Sequence, residues 1–150
     1  MAALLLIAHA PLASALQAVA QHVYPDCASR LRALDVAPGE AAEVVEARAR
    51  VMLAELGEAE TLIMTDVFGA TPSNVAQKLA DGQKVKLLTG VSVPMLWRAL
   101  GYCAEPLESL VTRALAGAAQ GTMQVASSRP LVQAQSLVAA DDQVHAAHQQ

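Results

Sequence analysis

Aromatic and basic side chains are scarce in this chain. One Trp, two Tyr and one Phe make up 3% of 150 residues, and ten Lys and Arg face fourteen Asp and Glu, for a net charge of -4. Nucleic-acid binders need a basic footprint and stacking surfaces, so this composition excludes nucleic acid as a partner. Cysteine is also rare: Cys27 and Cys103 are too few for a disulfide framework or a zinc site. They read as reduced thiols of a cytosolic protein, packed as small hydrophobes. No apolar stretch runs unbroken for the eighteen or so residues that a transmembrane helix needs. The opening MAALLLIAHAPLASALQAVA has no Lys or Arg before its apolar core, and His9 and Pro11 interrupt that core, so it reads as strand then helix rather than a secretory leader.

What the chain has in plenty is apolar residues, 54% against 16% charged, the balance of a globular domain with a sizeable core. The pattern alternates along its length. Ala3 to Ala8 form a continuous apolar run, too short for a helix and typical of a parallel strand buried on both faces. Pro11 suits a first helical position, and Leu12, Leu16, Val19 and Val23 recur at helical spacing. RLRALDV reads as a second strand, and APGEAAEVVEARARVMLAELGE as a helix opened by Pro-Gly and closed by Gly57. TLIMTDVF is a third strand, GATPSNVAQKLADG a turn and short helix, and KVKLLTGV a fourth strand. PMLWRALGY and EPLESLVTRALAGAAQG are helical, with Met64, Met95 and Trp97 as core, and TMQVAS fits a fifth strand. Alternation of this kind predicts an α/β fold with an open, doubly wound, mainly parallel sheet. The domain spans residues 1–128, and 129–150, rich in Gln, Ala and Asp, form a polar C-terminal tail.

In such sheets ligands bind beyond the carboxyl ends of the strands, where neighbouring connections run to opposite faces. His9 ends the first strand and Asp66 ends the third. If those strands are neighbours, the carboxylate fixes the imidazole tautomer and leaves the other ring nitrogen with a lone pair, a nucleophile for phosphorus. FGATPSN follows directly: Gly69 and Ala70 in a tight turn, Thr71 as a helix N-cap, Pro72 as the first helical residue. N–H groups at that helix start form an anion site without any Lys or Arg. Taken singly, a strand-end His is commonly structural, an Asp after a strand commonly caps a turn, and GATPSN is a helix start. Their convergence on one sheet edge is what points to phosphoryl transfer through a phosphohistidine. His22 has no carboxylate at contact spacing, and His145 with His148 make only two metal ligands, so none of these receives a role.

LLLIAHAPLASAL, then LIMTDVFGATPSNVA, then VKLLTGVSVPML, in that order, resemble the mannose-type (mannose/fructose/sorbose) IIA component of the bacterial phosphoenolpyruvate:sugar phosphotransferase system over residues 2–128. The resemblance implies a parallel sheet in the order 2-1-3-4 and a fifth, antiparallel strand, here TMQVAS, exchanged within a homodimer. It implies His9 as the phosphorylated residue, Asp66 as its orienting partner, and Phe68, Gly69, Ala70, Thr71 and Pro72 as the phosphate-binding turn. It implies the phosphocarrier HPr as donor and a separate IIB component as acceptor, in sugar uptake or its regulation. No metal or organic cofactor is implied, and the location is cytoplasmic, at the inner membrane only through the permease complex. The chain departs from the family in Ala10-Pro11, where Gly usually follows the histidine, and in Ala70, where many members have a second Gly. Two other readings are a phosphotransfer subunit of a dihydroxyacetone kinase and a non-catalytic anion-binding regulatory module.

Overall fold

The computed structural model describes residues 1–57 and 59–128. The polar tail expected over 129–150, with His145 and His148, lies outside them. Four strands, β1 (Ala3–His9), β2 (Leu31–Val36), β3 (Thr61–Thr65) and β4 (Val85–Thr89), form one sheet in the order β2-β1-β3-β4. Every pairing is parallel. Helices α1 (Leu12–Val23), α2 (Pro25–Ala28), α3 (Ala42–Glu55) and α4 (Thr71–Leu79) connect the strands, and α5 (Val93–Gly101) and α6 (Leu107–Gly121) follow β4.

The alternation of side chains along each strand divides the core in two. Leu4, Leu6 and Ala8 of β1, with Leu62 and Met64 of β3, pack against Ala13 and Leu16 of α1, Leu96 and Leu100 of α5 and Leu110 of α6. Leu5 and Ile7, with Ile63, pack against Val45 and Ala49 of α3 and Val75 and Ala76 of α4 on the opposite face. Both faces of β1 and β3 are therefore dry, which is why Ala3–Ala8 and Leu62–Met64 are continuously apolar rather than alternating. Truncating one of these side chains, such as Leu6, removes apolar surface and leaves a cavity, at a cost of roughly 2–5 kcal/mol.

The structure corrects several local expectations. Pro11 stands one position before α1, as its N-cap, rather than inside it. Ala70 is the N-cap of α4 and Thr71 its first helical residue, so Thr71 does not cap. Trp97 is 39% exposed while Met64 and Met95 are buried: it lies on the outer face of α5, whose buried residues are Met95, Leu96, Ala99 and Leu100. Residues 122–128 carry no regular structure in the single chain.

The expectation of two reduced thiols also fails, because Cys27 and Cys103 form a disulfide with a Cα–Cα distance of 6.4 Å. A separation of 76 residues in sequence says nothing about separation in space. α1 and α5 cover the same face of the sheet, and their carboxyl-terminal extensions bring the two cysteines together. Among the described residues no helix is long and apolar enough to cross a membrane.

Candidate functional site

The sheet order makes β1 and β3 neighbours, with Ile7 registered against Thr65. From β1 the chain crosses to β2 on one side, and from β2 it returns past β1 to β3 on the other. The carboxyl ends of β1 and β3 thus flank a point where the winding reverses, the place where open α/β sheets bind ligands. His9 is the last residue of β1, and Asp66 follows β3 directly.

The two residues meet. Asp66 Oδ2 lies 2.6 Å from His9 Nδ1 and also accepts the His9 backbone N–H at 2.8 Å. Its other oxygen accepts the Val67 N–H at 2.8 Å. The carboxylate is thereby fixed by two main-chain donors, and it in turn fixes the ring. Nδ1 is occupied by the carboxylate, so Nε2 is the ring nitrogen open to a reacting atom. The His9 side chain is 53% exposed and that of Asp66 only 13%, which places the imidazole at the surface and the carboxylate beneath it.

Burial raises the Asp66 pKa, but the His9 N–H, the His9 ring and the Val67 N–H together outweigh it and hold the carboxyl below the usual carboxylate range. Asp66 is therefore ionised wherever the protein is folded near neutral pH. An ionised carboxylate against Nδ1 keeps the proton on that nitrogen and stabilises positive charge developing on the ring.

The segment 68–72 turns away from β3 into α4. Gly69 has φ of +86°, a left-handed conformation that a residue with a Cβ adopts only at a cost. The first helical bond of α4 runs from the Asn74 N–H to the Ala70 carbonyl at 2.9 Å, so the N–H groups of Thr71 and Ser73 precede the intrahelical ladder. Pro72 contributes no N–H there. The Asn74 side chain donates to the Gly69 carbonyl at 3.2 Å and ties the turn to the helix. The helix start supplies the positive end of a dipole beside the His9 ring. All seven residues singled out in the sequence, His9, Asp66 and Phe68 to Pro72, thus stand at one sheet edge.

Sequence reasoning missed two contributors. Asp35, near the end of β2, accepts the Ser14 N–H at 3.1 Å and so holds the first turn of α1, the segment that follows His9. The Ala10 N–H donates to the Val36 carbonyl at 2.9 Å and anchors the same segment from below. An Asp three positions before a Pro-Gly helix opening carries no signal of its own, because its partner lies 21 residues away. The Ala10–Pro11 peptide is cis.

A groove between Tyr24, Trp97, Arg98, Tyr102 and Gly117 has none of its walls in the His9 site. Among the described residues no group of three or more His, Cys, Asp or Glu is placed to hold a metal ion.

Comparisons with known proteins agree with this geometry. No curated protein matches the chain. The structure of a phosphotransferase system component EIIA from Streptococcus agalactiae is similar at a TM-score of 0.74, with 20% identity over 83% of this chain and 97% of that one. The mannose/sorbose specific IIA subunit of the phosphotransferase system from Enterococcus faecalis superposes at 0.77, with 18% identity, 86% of this chain and 98% of that one covered. A PTS IIA protein associated with the fucose utilization operon of Streptococcus pneumoniae gives 0.64, with 24% identity over 83% and 96% of the two chains. At these identities the likeness establishes the fold, a parallel sheet of order 2-1-3-4. The family model for the PTS system fructose IIA component, EIIA-man, matches residues 3–114 and takes in both His9 and the 66–72 turn, so the chain belongs to that family.

Proposed function

We propose that this protein is a phosphocarrier of the sugar phosphotransferase system that accepts a phosphoryl group on His9 and passes it on. The observation that carries the reading is the 2.6 Å contact between Asp66 and His9 Nδ1, which leaves Nε2 as the nucleophile. In the step, the Nε2 lone pair forms a bond to phosphorus as the bond from phosphorus to the donor's own phosphohistidine nitrogen breaks. The electron pair of that broken bond returns to the donor imidazole. The N–H groups at the start of α4 and the helix dipole stabilise the charge on the equatorial oxygens. Phe68, Gly69, Ala70, Thr71 and Pro72 form the phosphate-binding turn.

The donor is a protein, HPr, and the acceptor a separate IIB component. An exposed imidazole suits transfer between two macromolecules, and Leu12, Val67 and Phe68, at 38%, 51% and 72% exposure, are apolar residues from the two segments that flank it. Such a rim is the kind of surface a transient partner covers. The protein works as a homodimer in which residues 122–127 pair with β4 of the partner. It acts in the cytoplasm and reaches the membrane only through the permease complex.

Incubation of the purified protein with phosphoenolpyruvate, enzyme I and HPr, followed by intact mass and site mapping, tests the reading. One acid-labile phosphoryl group on His9, dependent on HPr and absent in His9→Ala, is the expected result. No labelling, with HPr active on a control IIA, would leave the anion-binding regulatory module in its place. Labelled protein that discharges to a dihydroxyacetone kinase partner and to no IIB component would assign the other branch.

A further inference from the structure

Three buried hydroxyl oxygens, those of Thr65, Ser73 and Thr89, have no hydrogen-bonding partner in the protein among the described residues. They are not scattered. Thr65 and Thr89 are registered partners on the last rung between β3 and β4, and registered residues of a parallel ladder point to the same face. That face is the one α4 covers. Ile63 and Leu87, two residues earlier on the same strands, pack with Val75, Ala76 and Leu79.

Ser73 lies on the same side of α4, fully buried, three residues before Ala76. A step of two residues up the strands is about 6.6 Å. A step of three residues back along the helix is about 4.5 Å. The helix runs opposite to the strands, so the two steps lead to nearly the same level. By this reckoning the three hydroxyls lie at a similar height beneath the first turn of α4, under the turn at 68–72.

Native chains leave only a few buried polar groups without a partner, and each calls for an explanation, since it loses its hydration for nothing in return. Three such groups on three elements, grouped on one face of the sheet, point to a shared occupant. A hydroxyl both donates and accepts, so the occupant has to do the same, and none of the three carries a charge that would balance a metal ion. A single water, which makes two to four hydrogen bonds in buried sites, meets that description.

We propose that Thr65, Ser73 and Thr89 enclose one structural water that ties the start of α4 to the ends of β3 and β4. The water fixes the height of the helix start above the sheet, and with it the aim of the Thr71 and Ser73 N–H groups. The site stands whether or not His9 carries phosphate, because it rests on packing and not on the reaction.

The test has two parts. A crystal structure of the full chain at high resolution is expected to show one density peak at about 3 Å from all three oxygens. Thermal unfolding of Thr65→Val, Thr89→Val and the double variant supplies the second part. Valine is nearly isosteric with threonine, so it removes the hydroxyl and keeps the volume. If the water is held, each single variant unfolds about 2–4 °C below wild type. The double variant then loses less than the sum, because both hydroxyls bind one molecule. Unchanged or raised unfolding temperatures in both single variants, with additive effects, would mean that the hydroxyls are solitary, and would overturn the proposal. So would a peak-free site in the wild-type density, which decides the matter even if a variant fails to fold.

Discussion

At the scale of the residue, the chemistry depends on one carboxylate doing two jobs. Asp66 Oδ2 accepts both the His9 N–H and the His9 ring, so backbone and side chain of the nucleophile are fixed by the same atom. Asp66→Asn removes the charge and leaves an amide that cannot accept through both of its ends. A hydrogen bond to a charged group contributes about 1.5–3 kcal/mol. The rate of phosphorylation of His9 by phospho-HPr is therefore expected to fall roughly ten- to hundredfold, measured by rapid-quench labelling. The same substitution has a signature in stability. The folded pKa of Asp66 lies below its ordinary value of 3.8, so its contribution is complete above that value and is lost as pH falls through the folded pKa. As pH falls below about 4, wild type is expected to lose stability more steeply than Asp66→Asn in urea titrations. Parallel curves would show that Asp66 gains nothing from His9. His9 and Asp66 were legible as a pair because each follows an apolar run of strand length, and strand ends carry the site in this architecture. Asp35 was not, since a cap contributed from another strand leaves no local pattern.

At the scale of the element, the sequence shows strands and helices through periodicity and fails at their ends. β1 is an apolar run up to His9, β3 has an apolar centre between two buried threonines, and α1 repeats its buried Ala13, Leu16 and Ala20 at helical spacing. End positions answer to tertiary packing instead. Thr71 is a good N-cap by residue type, yet the turn at Gly69 places the helix start one residue earlier, at Ala70. The disulfide was invisible for a related reason: α2 is a four-residue helix with no periodic signal, and only its docking beside the end of α5 brings Cys27 to Cys103. That link closes a loop of 76 residues between two elements that pack side by side on one face of the sheet. Closing a loop of about this length restricts the unfolded chain by roughly 4–5 kcal/mol in the chain-entropy model. Reduction is therefore expected to lower the unfolding temperature by about 10 °C. Scanning calorimetry of the oxidised protein and of protein held in dithiothreitol, with thiol titration of each, provides the check. Equal unfolding temperatures for forms with zero and two free thiols would show that the two elements are already held together without the bond.

At the scale of the whole molecule, the sheet ends on a strand that has neighbours on one side only. β4 pairs with β3 and leaves its outer edge open, and each of its residues is half-buried where each residue of β3 is buried. An open edge with Val85, Leu87 and Leu88 on it is a surface that proteins cover or charge. Beyond α6 the chain continues over 122–128 without regular structure. Met123 and Val125, 70% and 83% exposed, alternate with Gln124 and Ala126, the period of a strand with one apolar face. In the proposed homodimer the open edge of β4 on one copy receives this segment from the other, in a closed twofold arrangement. Sedimentation velocity over a hundredfold range of concentration is expected to give a dimer for the full chain. A chain ended after Gly121 is expected to give a monomer that keeps its circular dichroism, because neither core cluster includes a residue beyond α6. A dimer that survives the truncation would place the interface elsewhere. A full chain that stays monomeric at every concentration would mean that β4 remains an open edge, and that phosphoryl transfer at His9 proceeds on a single subunit.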